Sequence, residues 1–311
     1  MSFGSFQSIC SKTGFPLCSV IAPLSQEHTF VTEGIVPQCY ARPFESANTM
    51  IFQVGNAFIH IGALMIILII IFNVWSKYMA IGRREMLSFF YYYMALEILS
   101  LVVDCGVCPP GSATYGYFVA LQLGTVGAVC LCLLYNGLLS FELWEDGLLR
   151  SMLVMHSICG AWFVVNFVVS LLTFKSWGGM HNSNTTAVFV VTYIGNAVIL
   201  AFYIVSQVVL SFFTGNTYWN LGALFLLSFF FVAGQILIYV FNQTICERLS
   251  HYVDALFFAS LGNLFAVMMV YKYWDMITPE DFEFSVAPVA PFQNQPMYDD
   301  KKSPFDTSSP R

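Results

Sequence analysis

Charge is what this sequence has least of. Asp, Glu, Lys and Arg make up 10% of its 311 residues, where a soluble domain carries about 25% to wet its surface. The apolar residues, 58% of the chain, are gathered into long blocks, which selects a membrane protein over an oversized soluble core. A net charge of −6 leaves nothing to neutralise a run of phosphates, so nucleic acid is excluded as a partner. Histidine is scarce as well. The five, His28, His60, His156, His181 and His251, include no i, i+4 pair. The three converging ligands of a heptahelical metallohydrolase are therefore not in view, the nearest approach being His251 with Asp254. No serine elbow, phosphate loop or dinucleotide fingerprint occurs, and nothing calls for a cofactor. Between residues 51 and 273 the prolines are Pro109 and Pro110, both in a connection, so the broken helices that build midplane cavities in receptors and transporters are not signalled. The first 50 residues lack a basic stretch followed by an apolar one. Met1 to Met50 are thus expected to survive in the mature protein, with the first apolar block as targeting signal.

What is present is seven apolar runs of spanning length: Ile51–Phe72, Met86–Val103, Tyr117–Ser140, Met152–Phe174, Ala187–Phe213, Leu221–Phe241 and Val253–Tyr271. They predict an all-α integral membrane protein, a seven-transmembrane helix bundle. Three segments follow: residues 1–50, a luminal cysteine-containing N-terminal segment; 51–273, the bundle; and 274–311, a cytosolic acidic tail. That tail holds Pro279, Pro288, Pro291, Pro296, Pro304 and Pro310 with little apolar periodicity, and it is expected to be disordered. With the N-terminus outside the cytosol, Lys77, Arg83, Arg84, Arg150, Lys272, Lys301, Lys302 and Arg311 are cytosolic, against Lys12, Arg42, Lys175 and Arg248 opposite. Basic flanks favour the cytosol, so this orientation is expected. Under it, Cys10, Cys18, Cys39, Cys105, Cys108 and Cys246 fall in non-cytosolic segments, while Cys130, Cys132 and Cys159 lie in helices. An oxidising lumen permits disulfides among the first six, with the pairing left open. The sequons at Asn184 and Asn242 fall on the same side, close to the membrane edge.

Ionisable groups at membrane depth cost about 2.5–3.5 kcal/mol. Glu97 is the mid-span carboxylate; Asp104 lies seven residues on, with Ser100 between them on one stripe. His60 of the first span is placed to bond Glu97, or Glu97 is protonated in an apolar setting. The set His60, Glu97 and Asp104 is then a conformational or partner-binding site, a satisfied interhelical hydrogen bond, or a proton or ion path. Asn56, Asn166, Asn196, Gln207, Gln235 and Asn263 read as bundle glue. The small-residue stripes Ala120-xxx-Gly124-xxx-Ala128 and Gly262-xxx-Ala266 allow close helix approach, within the bundle or to a partner. On the cytosolic side, Leu143-Trp144-Glu145-Asp146-Gly147 reads as a loop with an interfacial Trp144 or as a docking surface. In the tail, Asp281-Phe282-Glu283 has the form of a diacidic export signal, or is a solvated acidic stretch.

Beyond these physical signals the chain resembles one family. The stretches Ile9–Lys12, Pro16–Ser19, Cys39–Arg42, Val54–Phe58, Val102–Val107, Pro109–Ser112, Leu143–Gly147, Phe230–Gln235, Ile245–Glu247 and Met269–Lys272 are similar, in order, to the fungal chitin synthase export chaperones. The resemblance implies a non-catalytic chaperone of the endoplasmic reticulum membrane. Its client would be a polytopic chitin synthase, its further partners vesicle coat proteins at the tail and membrane lipid. Residues Phe292 to Arg311 lie outside the resemblance. A receptor-like or transporter-like heptahelical protein is the alternative, marked by a polar cavity reaching the midplane near Glu97.

Overall fold

A chain so poor in charge must satisfy its backbone polar groups internally, and seven long helices do so. The computed structural model describes residues 4–21, 34–46, 49–78, 80–141, 145–177, 184–213 and 217–278. The spans are α1 (Val54–Ser76), α2 (Arg83–Asp104), α3 (Tyr115–Leu139), α4 (Leu149–Phe174), α5 (Thr186–Phe213), α6 (Thr217–Arg248) and α7 (Ala255–Ile277), all long and apolar enough to cross a membrane. Helix α1 packs on α2 and α7, α2 on α3, α3 on α4 and α5, α5 on α6, and α6 on α7. Six helices thus close a ring, and α4 lies along the outside of α3. Ile67, Phe89, Phe90, Cys132, Met155, Tyr203 and Leu264 fill the centre.

Several expectations shift at the helix ends. Ile51 belongs to a two-stranded antiparallel hairpin, β1 (Phe44–Ser46) with β2 (Thr49–Ile51), in which Phe44 pairs with Ile51 and Ser46 with Thr49. Helix α6 runs to Arg248, past Asn242, Gln243 and Glu247, whose polarity ends the apolar run but not the helix. Cys246 therefore sits in the last turns of a span rather than in a loop. Helix α5 is uninterrupted but irregular: Phe189–Gly195 is wound as a π-helix. The indole of Trp162 fills the widened turn, and a Cβ on Gly195 would lie 3.0 Å from it. The same indole N–H donates to Asn196 Oδ1 at 3.0 Å, which gives the distortion a partner.

The small-residue stripes pack within the bundle, each against its neighbour in sequence. A Cβ on Gly262 would come 2.9 Å from the carbonyl oxygen of Phe230, so α6 and α7 touch backbone to backbone. Gly124 of α3 accepts the Phe163 ring of α4 in the same way.

The N-terminal segment is ordered by the bundle. Phe6, Cys10, Leu17, Cys18 and Ile21 form one apolar cluster with Val103, Tyr115, Val119, Phe174 and Val188. Two disulfides hold it: Cys10 to Cys18 within the segment, and Cys39 to Cys246 at the end of α6.

Candidate functional site

The end of the bundle that carries the disulfides also carries its buried polar groups. Gln53 turns the chain from β2 into α1 with a left-handed backbone (φ 48°). Phe52 N–H bonds the Cys105 carbonyl at 3.3 Å, and the Phe52 ring lies over Gly106, where a Cβ would come within 2.4 Å of it. Gly106 has φ 74°, so the position requires glycine for its backbone and for the close approach. This contact sets the first turns of α1 beside the last turns of α2.

Four side chains meet there. His60 Nδ1 lies 2.6 Å from Glu97 Oε2, and His60 Nε2 lies 3.1 Å from Asp104 Oδ2. Asn56 Nδ2 donates to the same Asp104 oxygen. All four are buried, at 3–9% exposure, deep enough that each must be paired to be tolerated. The three predicted residues are thus in one cluster, with Asn56, read from sequence as bundle glue, as its fourth member. Ser100, on the same stripe, accepts from Gln122 Nε2 of α3 at 2.9 Å.

The imidazole bridges two acids, and a proton must lie in each nitrogen–oxygen gap. Among the described residues Asp104 Oδ1 has no hydrogen-bond partner, nor has Gln53 Oε1. Both residues line a cavity of about 390 Å³, walled further by Phe15, Pro16, Tyr40 and Tyr115. The cavity stops at Asp104; Glu97 and His60 do not line it.

Among the described residues outside the spans two groups are shifted. Burial pushes the Asp254 carboxyl up to about 6, opposed by the Phe257 backbone amide and reinforced by the charge of Asp104. Burial, then the Asp104 charge, pushes the Cys105 thiol up to about 11. Cys105 and Cys108 are free thiols, so of the six candidate cysteines four are bonded. His251, not paired with Asp254 as a ligand set, stands with its Nδ1 3.2 Å from Cys39 Sγ and 3.5 Å from Cys246 Sγ. Among the described residues these three are the group whose ligand atoms converge, with two of them joined to each other.

Of the two sequons, Asn242 is buried and used: its Nδ2 donates to the Lys12 carbonyl at 2.6 Å and its Oδ1 accepts from Ala255 N–H at 3.0 Å. Asn184 is exposed.

At the opposite end the sequence reading missed Glu85. It is fully buried, and its Oε1 accepts from Gly147 N–H at 2.9 Å and Ser151 Oγ at 3.0 Å. Its position just before an apolar block hid it. Asp146, half-buried, takes the Gly82 N–H at 2.7 Å, while Glu145 of the same loop is exposed. Trp144, Asp281 and Glu283 lie outside the described residues.

The fold and the polar cluster define a heptahelical membrane protein whose N-terminal segment is tied by disulfides over a buried acidic site. The model of the chitin synthase export chaperone family matches residues 2–288. The chain is 59% identical over 290 residues to the chitin synthase export chaperone of Debaryomyces hansenii, covering 93% of this chain and 94% of the relative. It is 58% identical over 290 residues to that of Candida albicans, covering 93% of each. With that of Saccharomyces cerevisiae it shares 49% over 304 aligned positions, covering 92% and 96%. The chain belongs to the chitin synthase export chaperone family. No solved structure matches it.

Proposed function

We propose that this protein is the escort of a chitin synthase: a non-catalytic chaperone of the endoplasmic reticulum membrane that readies its polytopic client for vesicles. The observation that carries the reading is the family match across residues 2–288. The fold is compatible with it. Seven apolar helices offer a large membrane-embedded surface to a polytopic client. The two disulfides gather at one end with the N-terminal segment, as an oxidising lumen permits, and Lys77 and Arg83 sit at the other with the cytosolic expectation. In this orientation the tail from residue 279 faces the coat machinery.

Deleting the gene in its host, with a tagged chitin synthase followed by microscopy and wall chitin stained, tests the reading. Retention of the synthase in the endoplasmic reticulum with a fall in wall chitin is expected, and re-expression should reverse both. Arrival of the synthase at the surface in normal amounts would refute it.

A further inference from the structure

Helix α4 keeps an outer face that the rest of the bundle leaves uncovered, because it lies on α3 outside the ring. Arg150 and Lys175 bracket it. Its 26 residues make a helix about 39 Å long, against a hydrocarbon core of roughly 30 Å. With the helix centred, His156 stands about 8 Å from the midplane, well within that core. Yet its side chain is exposed. Nδ1 meets the Tyr92 hydroxyl at 2.9 Å, and Nε2 has no partner among the described residues. In either tautomer Nε2 is a donor or an acceptor, and lipid chains satisfy neither. Among the described residues exposed more than two turns from an end of any span, the polar side chains are Tyr91 and the consecutive pair His156 and Ser157. The strip they open continues along the same face with Gly160, Ala161 and Val164. A Cβ on Gly160 would meet nothing within 4 Å, so the chain's own packing makes no use of a residue that weakens a helix. Small residues beside a polar side chain are what two membrane helices need to approach closely and hydrogen-bond. The exposed faces of α1 and α6 carry large apolar side chains instead, Phe58, Met65, Phe225 and Phe229 among them, and no exposed polar one more than two turns from an end.

We propose that this strip of α4 is where the bundle receives one membrane-spanning helix of its client. Gly160 and Ala161 allow the close approach of backbones, and a hydroxyl or amide side chain of the client helix bonds His156 Nε2. The inference rests on the escort reading and adds to it the face, the residues and the kind of helix that fits.

The test isolates a tagged chitin synthase from solubilised host membranes and measures how much of this protein accompanies it. Gly160→Leu fills the strip where the protein itself leaves room, so its unfolding midpoint should hold while co-purification falls at least five-fold. Gly62→Leu, on α1, is the matched control. A Cβ there also meets nothing within 4 Å, and this variant should co-purify at the parent level. His156→Leu should fall as Gly160→Leu does, and His156→Gln, which keeps a hydrogen-bonding group, should recover part of the loss. Parent-level capture of Gly160→Leu or of His156→Leu overturns the strip and leaves the escort reading standing, as does an equal fall in Gly62→Leu. Absence of the parent protein from the isolated synthase removes the escort reading, and the strip with it. Should Gly160→Leu fail to fold, photocrosslinking in intact membranes decides. A benzophenone amino acid replaces Ser157 or, as control, Met65 of α1, which is 62% exposed. A crosslink to the synthase from the first position and not the second supports the strip. Any other pattern, including a crosslink from the first position to a second copy of this chain, overturns it.

Discussion

Asp254 is a residue the fold holds at a cost. It occupies the N-cap of α7 with an extended backbone, a position that suits Asp and Asn equally. It is also almost wholly enclosed, and burial pushes its carboxyl up to about 6. A carboxyl whose value rises on folding favours the folded state when protonated. That contribution is complete below the unfolded value near 3.8 and is lost as pH climbs through about 6. At neutral pH the ionised group therefore works against the fold. Asp254→Asn keeps the shape of the side chain and removes its charge, so it should stabilise the protein by up to about 3 kcal/mol at pH 7.5. The gain should fade on going to pH 5 and disappear near pH 4. Thermal unfolding midpoints of the two proteins across that range check the sign. A gain that grows toward acid would contradict the enclosure of this carboxyl.

At the scale of elements, the disulfides differ in what they constrain. Cys39–Cys246 joins the N-terminal segment to α6 across 207 positions of sequence, whereas Cys10–Cys18 spans 8. Closing the longer loop removes more freedom from the unfolded chain. Cys246→Ser should thus lower stability by about 2–4 kcal/mol, and Cys10→Ser by less. The unfolding midpoint of each variant, with non-reducing electrophoresis to confirm the lost bridge, gives the comparison. An equal loss from both would show that local packing rather than loop closure governs. The spans themselves were legible because a bilayer demands long apolar runs, and the eye needs only hydropathy to find them. Pairing was not: six candidate cysteines at one end look alike in sequence, and only the fold brings Cys39 to the tip of α6. The same limit applies to the polar cluster. His60, Glu97 and Asp104 stand out as ionisable groups in apolar surroundings. Asn56 does not, because an amide in a span is common and its partner lies on another helix. Glu85 escaped for the opposite reason, since a carboxylate before an apolar block reads as a solvated flank.

The whole molecule separates two kinds of polar chemistry. Around Asp104 the acids are enclosed and bridged, and beside them lies a cavity. At the opposite end two ion pairs share the half-buried Asp275 of α7, which bonds Lys77, just past the end of α1, and, at 2.9 Å, Lys272. Trp274 donates to the Ile81 carbonyl at 3.1 Å and lies near the Lys77 ammonium. Those contacts lock the end of α7, and Asp281 and Glu283 follow within a few residues of its last turn. If client binding belongs to the bundle and export to this acidic pair, the two activities are separable by mutation. Replacing Asp281 and Glu283 with Ala removes two charges that follow Ile277, the last residue of α7, in sequence, so the bundle should keep its unfolding midpoint. Co-purification of the tagged chitin synthase should be unchanged, while its packaging into vesicles budded from isolated membranes should fall at least two-fold. Packaging at the parent level would remove the export signal from the tail. A parallel loss of client binding would place the acidic pair in the client interface instead, because a pure coat signal has no reason to weaken a complex formed in the membrane.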